Sequence, residues 1–155
     1  MVEIDAFLAP ERILLGLRSG SKRQLFQDLS GIAASATGID QAAILAALNQ
    51  REKLGTTGIG EGIAIPHARV KDLDQIIGFF ARMAAPVDYD ALDDAPVDLV
   101  FLLLAPEEAN NAQLKALARI ARLLRDPEVC ARLRSEADPE HVFQLLTGRR
   151  AGASA

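Results

Sequence analysis

The sequence predicts a single α/β (α+β) domain, a β-sheet flanked by helices on both sides. Three observations carry this reading. The chain has 155 residues, half of them apolar and a quarter charged, which suits one globular domain with a sizeable core. Short apolar runs of strand type alternate with segments whose apolar residues recur at helical spacing. One run, Val97 to Leu104, is so strongly apolar, with few polar interruptions, that it reads as a central strand covered on both faces.

The elements follow in order. Ile13 to Leu17 is a short apolar run ending at Ser19-Gly20 and reads as a strand. Ser21 and Gln24 form a capping-box pattern, in which each side chain satisfies the other's backbone N–H. Leu25, Phe26, Leu29, Ile32, Ala33 and Ala36 then follow a helical period that Gly38 closes. Asp40 caps a second helix with Ile44, Leu45 and Leu48 as its buried stripe, running to about Lys53. Ile76 to Met83 reads as a strand, Val87 to Tyr89 as a short separate one, and Ala91 to Pro96 as a turn. After the central strand, Asn110 or Asn111 can cap a helix carrying Leu114, Leu117, Ala121 and Leu124. Asp126-Pro127 and Asp138-Pro139 each set a capping carboxylate before a proline at the first helical position, opening two short helices. The domain is expected to span residues 1–148, with 149–155 a small, polar, flexible tail.

Composition excludes several functions. Seventeen Lys and Arg against 21 Asp and Glu leave a net charge of −4, too acidic for a general nucleic-acid binder. One cysteine and two histidines argue against a metal centre, and no cofactor is expected. The first ten residues lack a signal-peptide pattern, and the longest apolar run, Leu99 to Ala105, is far short of the roughly 18 residues a spanning helix needs. A cytoplasmic protein without membrane insertion is expected.

The chemistry concentrates between Arg51 and Arg69. Gly55, Gly58, Gly60 and Gly62 crowd into eight residues, a density that means positive φ or very close backbone approach. Such backbone can turn N–H groups toward an anion. The spacing fits neither a dinucleotide fingerprint nor a Walker loop. Ile63-Ala64-Ile65 follows, then Pro66, which fixes its own φ and biases Ile65 to an extended form. His67 therefore sits at the end of a stiff, apolar-anchored segment. Its neutral imidazole is a nucleophile near pH 7, given an ordinary pKa of about 6.5. Arg51, Thr56 and Thr57 are candidate donors to phosphoryl oxygens, Arg51 because its planar fork pairs two oxygens at once. Arg69 adds positive potential.

The run from Arg51 to His67, Arg-Glu-Lys-Leu-Gly-Thr-Thr-Gly-Ile-Gly-Glu-Gly-Ile-Ala-Ile-Pro-His, resembles the phosphorylation-site signature of the fructose/mannitol-type enzyme IIA domains of the bacterial phosphoenolpyruvate-dependent phosphotransferase system. Pro96 to Phe101 with the following Leu-Leu-Leu-Ala-Pro, and Arg132-Leu133-Arg134 after Cys130, are similar to the same family. Within it the chain most resembles the nitrogen-related branch, over roughly Ala6 to Leu146. The resemblance implies a mixed sheet flanked by helices. It also implies that His67 takes a phosphoryl group on Nε2 from a small phosphohistidine carrier protein of the HPr/NPr type, with Arg51 as the active-site arginine. One departure stands out: many members carry a second histidine where this chain has Gln113. Gln113 can hydrogen-bond a phosphoryl oxygen but carries no charge.

Two functions are weighed on this basis: a phosphocarrier that passes the group on, with a sugar-specific component as one form of it, and a regulatory module whose phosphorylation state selects its target proteins. The absence of a fused membrane segment in 155 residues and the nitrogen-type resemblance both favour regulation. A hydrolase using His67 as base is disfavoured because no G-x-S-x-G elbow occurs. His141 reads as helix surface and Cys130 as a packed residue. The acids between Ala84 and Glu108 read as loop solvation and caps. The basic residues of the late helices, Lys115 to Arg134, read as a solvated face, with partner docking as the alternative.

Overall fold

The computed structural model describes residues 3–108 and 111–148. Two 3₁₀ turns, Ile4–Ala6 and Pro10–Arg12, lead into β1 (Ile13–Leu17). Then come α1 (Lys22–Thr37), α2 (Gln41–Lys53), β2 (Gly58–Gly60), β3 (Ile63–Ala64) and β4 (His67–Val70). The second half holds β5 (Ile77–Val87), β6 (Val97–Pro106), α3 (Ala112–Leu124), α4 (Pro127–Ser135) and α5 (Pro139–Thr147). The tail expected at 149–155 lies outside the described residues.

The sheet is mixed, in the order β1-β5-β6-β3-β2, with β4 also paired to β6. β6 is its axis, antiparallel to β5 and parallel to both β3 and β4. β3 pairs with Leu99 and Val100, and β4 with Leu103 to Pro106, so the two lie end to end along one side of β6. The break between them is Ile65-Pro66, where the proline has no N–H to give the ladder. Its carbonyl still accepts from the Leu103 N–H at 3.0 Å, which keeps the line in register.

Alternation along β6 explains its apolarity from Leu99 onward. Val100, Leu102 and Leu104 join the core beneath α1 and α2. Leu99, Phe101 and Leu103 join a second core beneath α3, α4, α5 and the N-terminal turns. Helices thus cover both faces from Leu99 to Ala105, which leaves no polar position there, while Asp98 near the strand's start is only partly buried and pairs with Arg134.

Most caps form as their sequences require. Asp126 and Asp138 accept from the first backbone N–H groups of α4 and α5, and Asp40 from Ala43 of α2. Gly38 and Gly148 end α1 and α5 in the left-handed conformation. Four details differ from expectation. The capping box at α1 is half made: Ser21 accepts from the Gln24 N–H at 3.0 Å, but the Gln24 amide turns to Asp28 at 2.8 Å. Asp28 in turn accepts from Ser19 at 2.6 Å, so a carboxylate at i+4 wins the amide. The separate strand at Val87 to Tyr89 does not exist, because β5 continues to Val87 across a register shift between Arg82 and Val87. Asn111 precedes α3 without a side-chain cap bond, and Asn110 lies outside the described residues. Finally, α3 buries Gln113, Ala116, Ile120 and Leu124, while Leu114 is 67% exposed.

Candidate functional site

β4 is an edge strand at its end of the sheet, because β2 pairs only with β3. His67 opens β4, and its exposed edge lies between the C-terminal turn of α2 and the first turn of α3. A cleft of about 380 Å³ forms there, lined by Gln50, Arg51, Leu54, His67, Arg69 and Gln113 among others.

Two bonds orient the half-buried imidazole. Nδ1 lies 2.8 Å from the Ile65 carbonyl, which can only accept, so Nδ1 carries the proton. Nε2 is then the lone-pair nitrogen, and it receives the Arg51 Nε–H at 3.1 Å. Burial lowers the His67 pKa below the ordinary histidine value. The bond to Ile65 opposes that shift and the Arg51 charge adds to it. His67 is therefore a neutral imidazole at pH 7, with its nucleophilic nitrogen turned toward a guanidinium.

Arg51 is held from a second side, where Nη1 donates to the Gly55 carbonyl at 3.0 Å. Among the described residues it makes no ion pair. Arg69 donates Nε to Gln113 Oε1 at 3.0 Å and Nη1 to the Glu107 carbonyl at 3.3 Å. Gln113 is buried and sits in the first turn of α3, whose N-terminal end carries positive dipole. The cleft thus joins one neutral nucleophile to two guanidinium groups and the amides of Gln50 and Gln113, and among the described residues no carboxylate lines it.

Other predicted residues sit elsewhere. Thr57 is buried, and both its N–H and hydroxyl bond to Glu52, at 2.8 and 2.7 Å. Thr56 accepts from the Gly58 N–H at 3.1 Å. Neither threonine lines the cleft. The glycines do not form a cradle around His67. A Cβ on Gly58 would lie 2.7 Å from the Ala91 Cβ and 2.9 Å from Tyr89; one on Gly60 would meet Asp93, and one on Gly62 would meet Arg134 and Asp98. Positive φ occurs at Gly55, Gly60 and Gly62: at Gly60 and Gly62 it shapes the β2–β3 turn, and at Gly55 it lies beside the carbonyl that holds Arg51. His141 is exposed beside Glu136, and Cys130 is buried, donating to the Leu124 carbonyl.

Residue patterns had not singled out Gln50, Leu54 or the Ile65 carbonyl as parts of the site. Helical period was the available signal for one of them, since Leu54 lies three residues beyond Arg51 on the same helix face.

Comparison with known proteins shows the family. Residues 6–148 match the family described as "Phosphoenolpyruvate-dependent sugar phosphotransferase system, EIIA 2". The chain belongs to this family. The EIIA chain is 50% identical over 143 residues to a nitrogen regulatory protein of Bradyrhizobium diazoefficiens, covering 92% of this chain and 94% of that protein. Among solved structures, nitrogen regulatory protein IIA-Ntr of Neisseria meningitidis superposes on the EIIA chain with a TM-score of 0.89 at 35% identity, covering 93% of this chain and 99% of the other. IIA mannitol of Escherichia coli superposes with a TM-score of 0.74 at 25% identity, covering 89% and 97%. Among the described residues, no helix is long and apolar enough to cross a membrane, and no cluster of three or more His, Cys, Asp or Glu is placed to hold a metal ion.

Proposed function

We propose that the protein is a nitrogen-type IIA component that accepts a phosphoryl group on Nε2 of His67 from a phosphohistidine carrier protein of the HPr/NPr type. Its phosphorylation state then regulates target proteins. The observation that carries this reading is the pair of bonds on the imidazole: Nδ1–H to a carbonyl, Nε2 facing Arg51.

In the transfer, the Nε2 lone pair attacks phosphorus while the P–N bond to the carrier's histidine breaks and its electron pair returns to that imidazole. His67 gains positive charge as the new bond forms. The Ile65 carbonyl stabilises that charge through Nδ1–H, already in place. The arriving group brings about −1.5 to −2 of charge. Arg51 Nε–H, displaced from Nε2, is then within reach of the phosphoryl oxygens, and Arg69 lies across the same cleft. Catalysis here is positioning and fixed electrostatics, with no proton to move.

Leu54 is 83% exposed at the cleft and Leu114 is 67% exposed beside Gln113. Exposed leucines on both flanks supply apolar surface for a docking protein. Regulation is favoured over sugar transport by Gln113, whose amide is already engaged with Arg69 where many relatives carry a second histidine. The nitrogen regulatory relatives point the same way.

The test is intact-mass measurement after incubation with phosphoenolpyruvate and the general carrier proteins. One acid-labile phosphoryl group is expected on the native chain and none on His67→Ala. Labelling that survives the substitution would sink the proposal.

A further inference from the structure

Behind the cleft, on the far side of the segment that follows α2, lies a compact polar cluster that the transfer step does not use. Glu52 is half-buried. Its carboxylate accepts from the Thr57 N–H at 2.8 Å, the Thr57 hydroxyl at 2.7 Å and Lys22 Nζ at 2.8 Å. The Thr57 oxygen also bonds to the Tyr89 hydroxyl at 2.7 Å, and both residues are buried. Lys22 lies over the Tyr89 ring at 4.4 Å. Burial pushes the Glu52 carboxyl up, but the bonds from Lys22 and Thr57 outweigh it and hold the group below the ordinary range. Glu52 is thus a charged, fully engaged carboxylate under the backbone that shapes the site.

Both groups at the reacting nitrogen hang on that backbone. Thr57 C=O accepts from the Ile65 N–H at 3.0 Å, and Ile65 C=O accepts from His67 Nδ1–H. Gly55, inside the segment Glu52 closes, holds Arg51 Nη1. A continuous path of hydrogen bonds therefore runs from Glu52 through Thr57 and Ile65 to the imidazole, and a second, shorter one runs through the 54–57 turn to the guanidinium. We propose that Glu52, clamped by Lys22 and Thr57, is a positioning residue that fixes the His67 tautomer and the Arg51 approach from behind the cleft. It touches neither phosphoryl group nor carrier. This inference rests on the proposed transfer at His67 for its kinetic consequence, though its structural consequence is readable without any transfer.

The experiment compares native protein, Glu52→Gln, Thr57→Val and the control Asp98→Asn. Asp98 sits in an ion pair of similar length with Arg134 at the β2–β3 turn. Nitrogen-15 NMR of the unphosphorylated imidazole reads the tautomer, and carrier titration separates maximal transfer rate from KM. Native His67 should show a single Nδ1–H tautomer. Glu52→Gln should give a tautomer mixture and lower the maximal rate roughly tenfold, with carrier KM changed less than twofold, as expected for a misplaced reacting group. Thr57→Val, which keeps the backbone N–H bond, should show the same signature more weakly and covers the case in which Glu52→Gln fails to fold. Asp98→Asn should leave tautomer and rate as they are. Folded variants at Glu52 and Thr57 with the native tautomer and native rate would overturn the assignment, whatever they cost in stability. A native chain that takes no phosphoryl group would overturn the proposed function instead, while the tautomer comparison still decides the role of Glu52.

Discussion

Two arginines flank the glycine-rich segment, and they are treated oppositely. Arg134 reaches the β2–β3 turn and has its charge paired: both Asp98 oxygens accept from it, at 2.8 and 3.0 Å, and so does the Glu61 carbonyl at 2.8 Å. Arg51 lies at the other end of the segment and faces a neutral nitrogen and a single carbonyl. A guanidinium with its carboxylate in place is a brace, because its charge is already answered. One held beside a neutral nucleophile keeps its electrostatic attraction for a group still to come. The glycines divide as well: Gly62 packs against the Arg134–Asp98 brace, while the Gly55 carbonyl holds Arg51 at the nucleophile.

The largest effect should come from breaking the unanswered side. Arg51→Met should lower the rate of phosphoryl transfer about 100-fold, the scale seen when one preorganised donor is lost from a reacting charge. It should also raise the His67 pKa, since the Arg51 charge helps hold it down. The sign has a visible consequence. A lowered pKa keeps native His67 unprotonated, and so reactive, below its ordinary titration range; the variant should lose activity at higher pH than the native protein. An imidazole NMR titration alongside the pH–rate profile measures both. The matching change on the braced side, Arg134→Met, should leave the rate within twofold and cost about 1 kcal/mol of stability, the scale of a partly exposed pair, read by urea unfolding.

The next test addresses the glycines. If they serve close packing and not anion binding, Gly58→Ala should destabilise the fold by about 1–3 kcal/mol through overpacking. The added methyl would lie 2.7 Å from the Ala91 Cβ and 2.9 Å from its Cα, and backbone cannot step aside as a side chain can. Thermal unfolding reads this directly. A variant with native stability and a lost phosphoryl group would reverse the assignment.

What the sequence made legible and what it hid follow the same division. β6 could be recognised because burial on two faces leaves an apolar record from Leu99 to Ala105, broken within Val97–Pro106 only by Asp98 near the strand's start. His67 and Arg51, which meet at 3.1 Å, could be singled out as candidates because their local surroundings, a proline before one and a short helix-to-glycine stretch after the other, are written in adjacent residues. The inward face of α3 was hidden. Leu117, Ala121 and Leu124 do pack on the core, but its fully buried line is Ala116, Ile120 and Leu124, which fits a helical period equally well and leaves Leu114 outside; the same face carries Gln113 to Arg69, 44 residues away in sequence. The role of the glycines was hidden for the same reason. Their positive φ was foreseeable, but the residues they approach, Tyr89, Ala91, Asp93, Asp98 and Arg134, come from three later segments. Likewise the clamp on Glu52 needs Lys22 and Tyr89, which only tertiary folding brings to α2.

The smallest effect concerns Gln113, where the two sides of the comparison nearly meet. Its carbonyl oxygen answers Arg69 with a neutral acceptor, an intermediate between the carboxylate on Arg134 and the imidazole facing Arg51. Gln113→His would replace one neutral acceptor by another, since a buried imidazole beside a guanidinium stays unprotonated at pH 7. Arg69 would keep a partner, and the cleft would gain no net charge. The expected result is a change of no more than a few-fold in the rate of transfer and in the lifetime of the phosphorylated form, against about 100-fold for Arg51→Met. Acid-quench time courses on the two variants measure the contrast. A rate gain of tenfold or more would mean that the added histidine reaches the phosphoryl group itself, and that the glutamine in this chain restrains a faster transfer.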